Sequence, residues 1–488
     1  MIEENIKIHN RFSIELKLSF LARKKKKVSE YAVNTWIFVP NSLDINPSNY
    51  DKSDFYRDLK SNIRLITPVF LLRDIVSAPD SPLVHLEKSF QRLASEPTRT
   101  NATEYEHQIK LFLSIVKSAL RDETNHILQI DKPEDSTFLT ETLLTNLTLI
   151  LSGYRKLWNI INVPTVSQTL INYYRFGDEF LSNIVEQRCF RLLRNYSLPG
   201  ETIQNETGRS IYTLIKTELK YKKENNYPSI EKNNNNLNRQ LIHRLGLLKK
   251  YAEDVLFLST KRKKEGVISQ QIYYSIAAGI SMVFATAIAF SFQQKYGNLT
   301  MPFFVALVVS YMLKDRIKEL SRYYFAHKLG NRYFDHKTSI SLKNNDIGWS
   351  KEAMDFITEN KVPQEVLRYR NRSAILEADN RNNNEKIILY RKLVRLNRES
   401  LDRCGDYFFS GINDIIRLNV NGMILKMDDP EFLLHHTDKN KTYIAIQGEK
   451  IYYLNLIMQL KSEEHTAYRR YRVALNRNGI VDLEFFKL

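Results

Sequence analysis

The densest set of residues able to do chemistry is Asp428-Asp429-Pro430-Glu431, followed by His435, His436 and Asp438, between two stretches that read as strands. Carboxylates and imidazoles at this density suit a divalent metal or acid–base work. Their spacing does not. Neighbours on an irregular loop point in different directions, and acidic residues beside a proline are ordinary turn chemistry. A solvated loop is expected, with no catalytic residue, cofactor or metal assigned. Cys404 stands between Asp402 and Asp406, whose charges raise a thiol's pKa instead of activating it, so it reads as structural. His327 and His336 lack the i, i+4 spacing that brings two imidazoles to one ion. No glycine loop ending in Gly-Lys-Ser/Thr, dinucleotide fingerprint, His-Glu-x-x-His helix, Gly-x-Ser-x-Gly elbow or kinase signature occurs. The chain therefore leans away from an enzyme, and an enzyme with an unfamiliar site is one of the alternatives.

Basic segments form the second group. Lys24, Lys25, Lys26 and Lys27 follow Arg23 in one loop, and Lys261, Arg262, Lys263 and Lys264 form another run. Arg368-Tyr369-Arg370-Asn371-Arg372 and Tyr468-Arg469-Arg470-Tyr471-Arg472 interleave tyrosine with arginine. Such residues contact lipid head groups, or stack on bases and neutralise phosphates. Lys24 to Lys27, Lys261 to Lys264, Arg470 and Arg472 are the candidate contacts. Strand alternation splits Tyr468 to Arg472 between two faces, so no single groove is expected to collect them. Head-group contact or a solvated face is favoured over nucleic acid.

The elements that would hold these residues are organised around Gly266 to Leu313, 48 positions with one charge, Lys295. A spanning helix needs about 20 apolar residues to cross roughly 30 Å of hydrocarbon. Residues 268–292 meet that length, and 299–313 form a shorter second run. Gln293 to Asn298 is turn chemistry, and Pro302 suits a first helical turn. The stretch reads as a two-helix transmembrane hairpin. Ala277, Ser281, Ala285 and Ala289, with Ala306 and Ser310, recur at helical spacing and form a candidate packing face. Lysines and arginines flank both outer ends, which puts both termini in the cytoplasm at the inner membrane. Two spans nearly free of ionisable residues offer no transport pathway.

Charge agrees with a position near an anionic surface, since the net is +17 and both sides of the hairpin are basic. Two cysteines, Cys189 and Cys404, are too few for a disulfide framework, so a reducing compartment is expected. No cleavable targeting pattern is visible near residue 1.

The fold class is α+β, with mixed helix and strand domains flanking the hairpin. Residues 1–80 are β-rich, with strands near 14–20 and 33–39 paired as a hairpin and another at 63–72. Residues 81–260 are helical, with helices near 103–124, 136–161, 166–196, 207–223 and 237–260, a break at Leu198-Pro199-Gly200 and a linker at 225–236. Residues 314–403 are juxtamembrane and helical, including a basic amphipathic helix at 385–403. Residues 404–488 return to strands, at 415–427, 442–447, 450–460, 468–476 and 480–485, separated by Asn-Gly turns. Both β-rich ends lie on one side of the bilayer, so they are expected to pack together. A membrane-anchored binding protein follows, acting as scaffold, adaptor or sensor with a protein partner or a second copy of itself. A membrane tether for nucleic acid is the runner-up.

Overall fold

The computed structural model describes residues 2–24, 26–197, 202–297, 300–330, 334–343, 345–382, 385–437, 443–463 and 465–487, without side chains at 268–270, 325–330, 379, 381 and 382. The fold is mixed helix and sheet and divides into two compact units. One comprises Met1–Arg64, Leu258–Asp406 and Ser410–Leu488; the other comprises Leu65–Phe257 with Tyr407–Phe409.

The first unit opens with strands β1 (Ile2–Asn10), β2 (Ser13–Leu21) and β3 (Val28–Val39), helix α1 (Lys52–Asp58) and β4 (Leu59–Leu65). The second unit is helical: α2 (Asp74–Ser77), α3 (Pro82–Ser95), α4 (Arg99–Ile127), α5 (Pro133–Lys156), α6 (Trp158–Ile161), α7 (Gln168–Leu193), α8 (Glu206–Glu224) and α9 (Asn235–Glu253). The chain then returns to the first unit through β5 (Ser259–Lys264), α10 (Val267–Tyr296), α11 (Met301–Gly330), β6 (His336–Leu342) and β7 (Asn345–Ile357). Next come α12 (Gln364–Arg370), α13 (Ala374–Asn382), β8 (Lys386–Asn397), α14 (Arg398–Asp402), β9 (Gly411–Asn419) and α15 (Asn421–Ile424). The last strands are β10 (Glu431–Thr437), β11 (Tyr443–Glu449), β12 (Tyr452–Ser462), β13 (Thr466–Asn476) and β14 (Gly479–Phe486).

Among the described residues three sheets result: eight strands in the order β14-β13-β12-β3-β8-β7-β6-β5, four in the order β1-β2-β9-β4, and the ribbon β10-β11. The two ends of the chain are joined strand to strand. β3 runs antiparallel between β12 and β8, setting Phe38 opposite Asn455 and Ile387, and β2 pairs with β9. Trp36, Phe38, Ile387 and Ile457 share one face of the large sheet, where Val362 and Val366 of the α12 region pack on them. Burying this apolar face at about 25 cal/mol per Å² is what docks α12. Asn371, left-handed with φ 44°, caps α12 and turns the chain away.

In the helical unit Ser81 caps α3 by accepting from the Val84 N–H, and Pro82 stands in its first turn. Its interior stacks Tyr154 between Phe112 and Tyr174, with ring centroids 5.8 and 5.1 Å away. Buried charges there are paired: Arg155 with Glu218 at 2.7 Å and Arg244 with Glu179 at 2.6 Å.

Several expected elements differ. β2 and β3 do not pair with each other, because each finds a partner from the far end of the chain. The strand expected at 63–72 is β4, which begins earlier and ends at Leu65, ahead of Pro68. Residues 386–397 are a strand, not a basic helix. β9 ends at Asn419, and Asn421-Gly422 opens a short helix where a strand turn was expected. The Leu198-Pro199-Gly200 break lies outside the described residues.

Candidate functional site

β12 and β13 set the site by alternation. Asn455 lies opposite Arg472, and Ile457 opposite Arg470, so Asn455, Arg470 and Arg472 face the same side as Phe38. α12 covers that side. Tyr369 packs on Tyr468 with ring centroids 5.1 Å apart, and the Tyr468 hydroxyl donates to Glu365 at 2.6 Å. Beyond the end of α12 the covering stops and a cavity of about 560 Å³ remains, lined by Arg370, Arg372, Asn455, Arg470 and Arg472 among others. Alternation sends Arg469 and Tyr471 to the other face, where they meet Glu4 and Phe485. Tyr468 to Arg472 are thus split between two faces as expected, but Arg370, Arg372, Arg470 and Arg472 nonetheless line one cavity, which was not expected. Alternation puts 468, 470 and 472 on one face, and α12 brings 369, 370 and 372 onto it.

These arginines are not equivalent. Arg372 grips Glu359 with Nη1 and Nη2, at 2.9 and 3.1 Å, and donates from Nε to Glu385 at 3.2 Å. Burial lowers its proton affinity, and the bonds to Glu359 and Glu385 more than offset this. Arg370 donates to the other oxygen of Glu385 at 2.9 Å, while its buried Nε has no partner. Arg472 donates from Nε to Glu484 at 2.9 Å and lies over the Tyr453 ring at 4.6 Å.

Arg470 is only 9% exposed, and its guanidinium lies over the Phe486 ring at 4.5 Å. Its Nε is buried without a hydrogen-bond partner, and no acceptor or carboxylate pairs with the side chain among the described residues. Burial, then the charges of Arg370 and Arg472, hold this guanidinium below its usual value, yet arginine stays charged in proteins. Beside it, the Asn455 Oδ1 is buried and has no donor. The lining holds five basic side chains against two acidic ones, Glu385 and Asp428. Four of the five are bonded to carboxylates, so the uncompensated positive charge in this concave space is that of Arg470. It is suited to holding an anion.

The acidic loop is divided. Asp428 sits at the rim, where it accepts from the Tyr452 hydroxyl at 2.9 Å and pairs with Lys450, and Asp429 pairs with Arg477. Glu431, His435 and His436 lie on β10, a strand instead of the expected loop, and Asp438 is outside the described residues. Among the described residues no three His, Cys, Asp or Glu side chains converge as metal ligands. Cys189 is buried and its thiol is pushed up to about 12 by burial, then by Glu218 and Glu186. Burial also raises Cys404. The ribbon β10–β11 is exposed along both strands, with Phe432, Leu434, Tyr443 and Ile444 open to solvent.

The remaining candidates fall in two other places. Lys24, Lys26 and Lys27 are exposed in the β2–β3 loop, with Lys26 paired to Glu463 and Lys27 to Glu399, while Lys25 lies outside the described residues. Lys261, Lys263 and Lys264 are exposed on edge strand β5. Arg262 on the same strand bonds Glu352 at 3.1 Å and lies over Tyr56 at 4.6 Å. Among the described candidates, only Arg470 and Arg472 line one cavity.

β5 leads into α10 through Gly266, with φ 80°, and α10 ends at Gly297, with φ 78°. Both are left-handed positions that favour glycine. α10 and α11 pack antiparallel through small residues: Ala277, Ser281, Ala306 and Ser310 are buried, and the Ser310 hydroxyl donates to the Ala285 carbonyl at 3.1 Å. Large apolar residues point outward instead, including Val283, Phe290, Phe304 and Met312. Gln271–Tyr296 is long and apolar enough to cross a membrane, and only 11% of its most apolar stretch is buried. Soluble core helices bury such a face. Arg322 over Tyr274, at 5.2 Å, shows that the charged half of α11 runs beside the first turns of α10.

No family model, curated protein or solved structure matches this chain.

Proposed function

We propose that the chain is a membrane-anchored binding protein, a scaffold, adaptor or sensor, whose α10–α11 hairpin crosses the inner membrane. Both termini then lie in the cytoplasm and the turn near Gly297 on the far side. The observation that carries this reading is the inverted hairpin, with small residues inside and large apolar ones outside. That is the distribution expected where the surroundings are lipid. The basic flanks at Lys261 to Lys264 and Lys314 to Arg322 support cytoplasmic ends. Met301 to Leu313 reaches roughly 20 Å at about 1.5 Å per residue. Lys314 and Arg316 must therefore snorkel, or the bilayer must thin.

The arginine-lined cavity supports a binding role, and the exposed β10–β11 ribbon offers a surface to a protein partner. The nucleic-acid reading draws little support, because the basic runs sit on separate elements and Arg470 is too deep for a polymer backbone.

Because Lys264 pairs with His336, the hairpin can be excised and the ends of β5 and β6 rejoined by a short turn. The full chain is expected to stay with membranes through alkaline carbonate washing, and the excised chain to be released. A full chain released by carbonate, or an excised chain still retained, overturns the proposal.

A further inference from the structure

We infer that the cavity between the end of α12 and strands β12–β13 is a binding site for a small organic phosphate, with Arg470 and Arg370 as its anion-holding groups. This deepens the binding-protein reading and rests on it for the existence of a ligand, but not on insertion in a bilayer.

Charge is the first argument. Arg372 and Arg472 have carboxylate partners, Glu359 and Glu484, whereas Arg470 has none among the described residues. A buried charge left unpaired is strongly destabilising, and a bound anion removes that penalty. Glu385, bonded to both Arg370 and Arg372, fixes Arg370 at the wall and leaves its Nε unused. Two guanidinium groups held on different elements, one on a strand and one on a helix end, suit the several oxygens of a phosphate monoester. Counting the carboxylates bonded to them, Glu359, Glu385, Asp428 and Glu484, the five basic lining side chains keep one unbalanced positive charge, at Arg470, which calls for an anion.

Size and depth narrow the class. About 560 Å³ falls in the range of small-molecule pockets and exceeds what an inorganic ion fills. Asn455 also lines the cavity, so a neutral amide side chain stands beside the arginines in its wall. A terminal phosphate can reach Arg470; a phosphodiester inside a polymer cannot follow it that deep. A lipid head group carries the same chemistry. Along the sheet β13 lies five strands from β6, where the hairpin is rooted, or about 24 Å at roughly 4.8 Å per strand. That separation favours a soluble ester.

The test uses the full chain in mild detergent, with thermal unfolding followed in phosphate-free buffer of constant ionic strength. Inorganic phosphate, adenosine 5′-monophosphate and dioctanoyl phosphatidic acid are the probes. Inorganic phosphate should raise the unfolding temperature in proportion to the logarithm of its concentration, with sulfate weaker. The nucleotide should act at a concentration at least tenfold lower. Arg470→Met should unfold no earlier than the wild type without ligand, since it removes an unpaired charge, and should abolish the phosphate effect. Arg370→Gln should weaken binding at least tenfold. A stronger response to the phosphatidic acid than to the nucleotide overturns the soluble-ester assignment. No response of the wild type to any probe, or an undiminished response in Arg470→Met, overturns the site itself. Carbonate extraction of the same variants reads the anchor separately, so the two failures are distinguishable.

Discussion

Lys392 is a fully buried charge in the sheet unit. Its side chain is 0% exposed on β8, between Glu352 at 2.8 Å and Asp414, whose own side chains are 6% and 1% exposed. Asp414 also accepts from the Ser61 hydroxyl at 2.7 Å, and Glu352 from Arg262 at 3.1 Å. Burial raises the Glu352 carboxyl, and the Lys392 charge and hydrogen bond lower it by more. Lys392→Met would leave buried Asp414 without a cation and buried Glu352 with Arg262 alone. Breaking such a pair costs about 3–5 kcal/mol. Against a typical stability of about 5–15 kcal/mol, that is about a fifth or more. In urea, with m near the upper end of about 1–3 kcal/mol/M, the midpoint should fall by roughly 1 M or more. Trp36 and Trp349 report on this unit once Trp158 is replaced by phenylalanine. Because burial raises the Glu352 carboxyl and the Lys392 charge that opposes this is gone, the deficit should shrink as the pH falls from 7 towards 5. Adding Glu352→Gln and Asp414→Asn should restore most of the loss. A midpoint change under 0.3 M (about 1 kcal/mol), or a triple variant no better than the single one, would refute the reasoning.

Two further outcomes follow from the geometry. Ser281→Leu puts a large side chain into the α10–α11 seam and should cost about 1–3 kcal/mol of hairpin packing; cross-linking between cysteines placed at 285 and 310 should slow accordingly. Glu15, Glu352 and Glu359 all have carboxyls held below the usual value despite burial, by Lys7 and Arg417, by Lys392, and by Arg372 respectively. Folded values below the unfolded ones mean stabilisation present above about pH 4.5 and lost on acidification through the lower folded values. Urea midpoints measured from pH 7 to pH 3 should decline most steeply below about pH 4.5, and a rise there would contradict the assignment.

How much of this was legible in the sequence depends on which partner a residue needed. The long helices of the second unit were readable because their apolar period is satisfied locally; α4, α5, α7 and α8 lie close to where the spacing puts them. The small-residue seam of the hairpin was readable for the same reason. β8 does not read as a strand in the sequence because its inward positions include a charge. Ile388, Tyr390, Lys392, Val394 and Leu396 alternate inward, and Lys392 breaks the apolar period that would have revealed the strand. β10 was hidden inside residues with turn-like composition. The cavity was half legible: the arginine–tyrosine clusters stood out, but their meeting depends on α12 docking across β3 and β12, strands more than four hundred residues apart. Alternation within one strand could not supply that.

The most direct test of the membrane-anchored account is the sidedness of the hairpin. Single cysteines at Gln294, in the exposed end of α10, and at Lys263, on β5, can be introduced after Cys189→Ala and Cys404→Ala. Labelling of intact cells with a membrane-impermeant maleimide is then compared with labelling after permeabilisation. The account predicts that Gln294→Cys reacts from outside and that Lys263→Cys reacts only once the membrane is opened. A Gln294→Cys that stays unlabelled from outside, or a Lys263→Cys that reacts without permeabilisation, would contradict it.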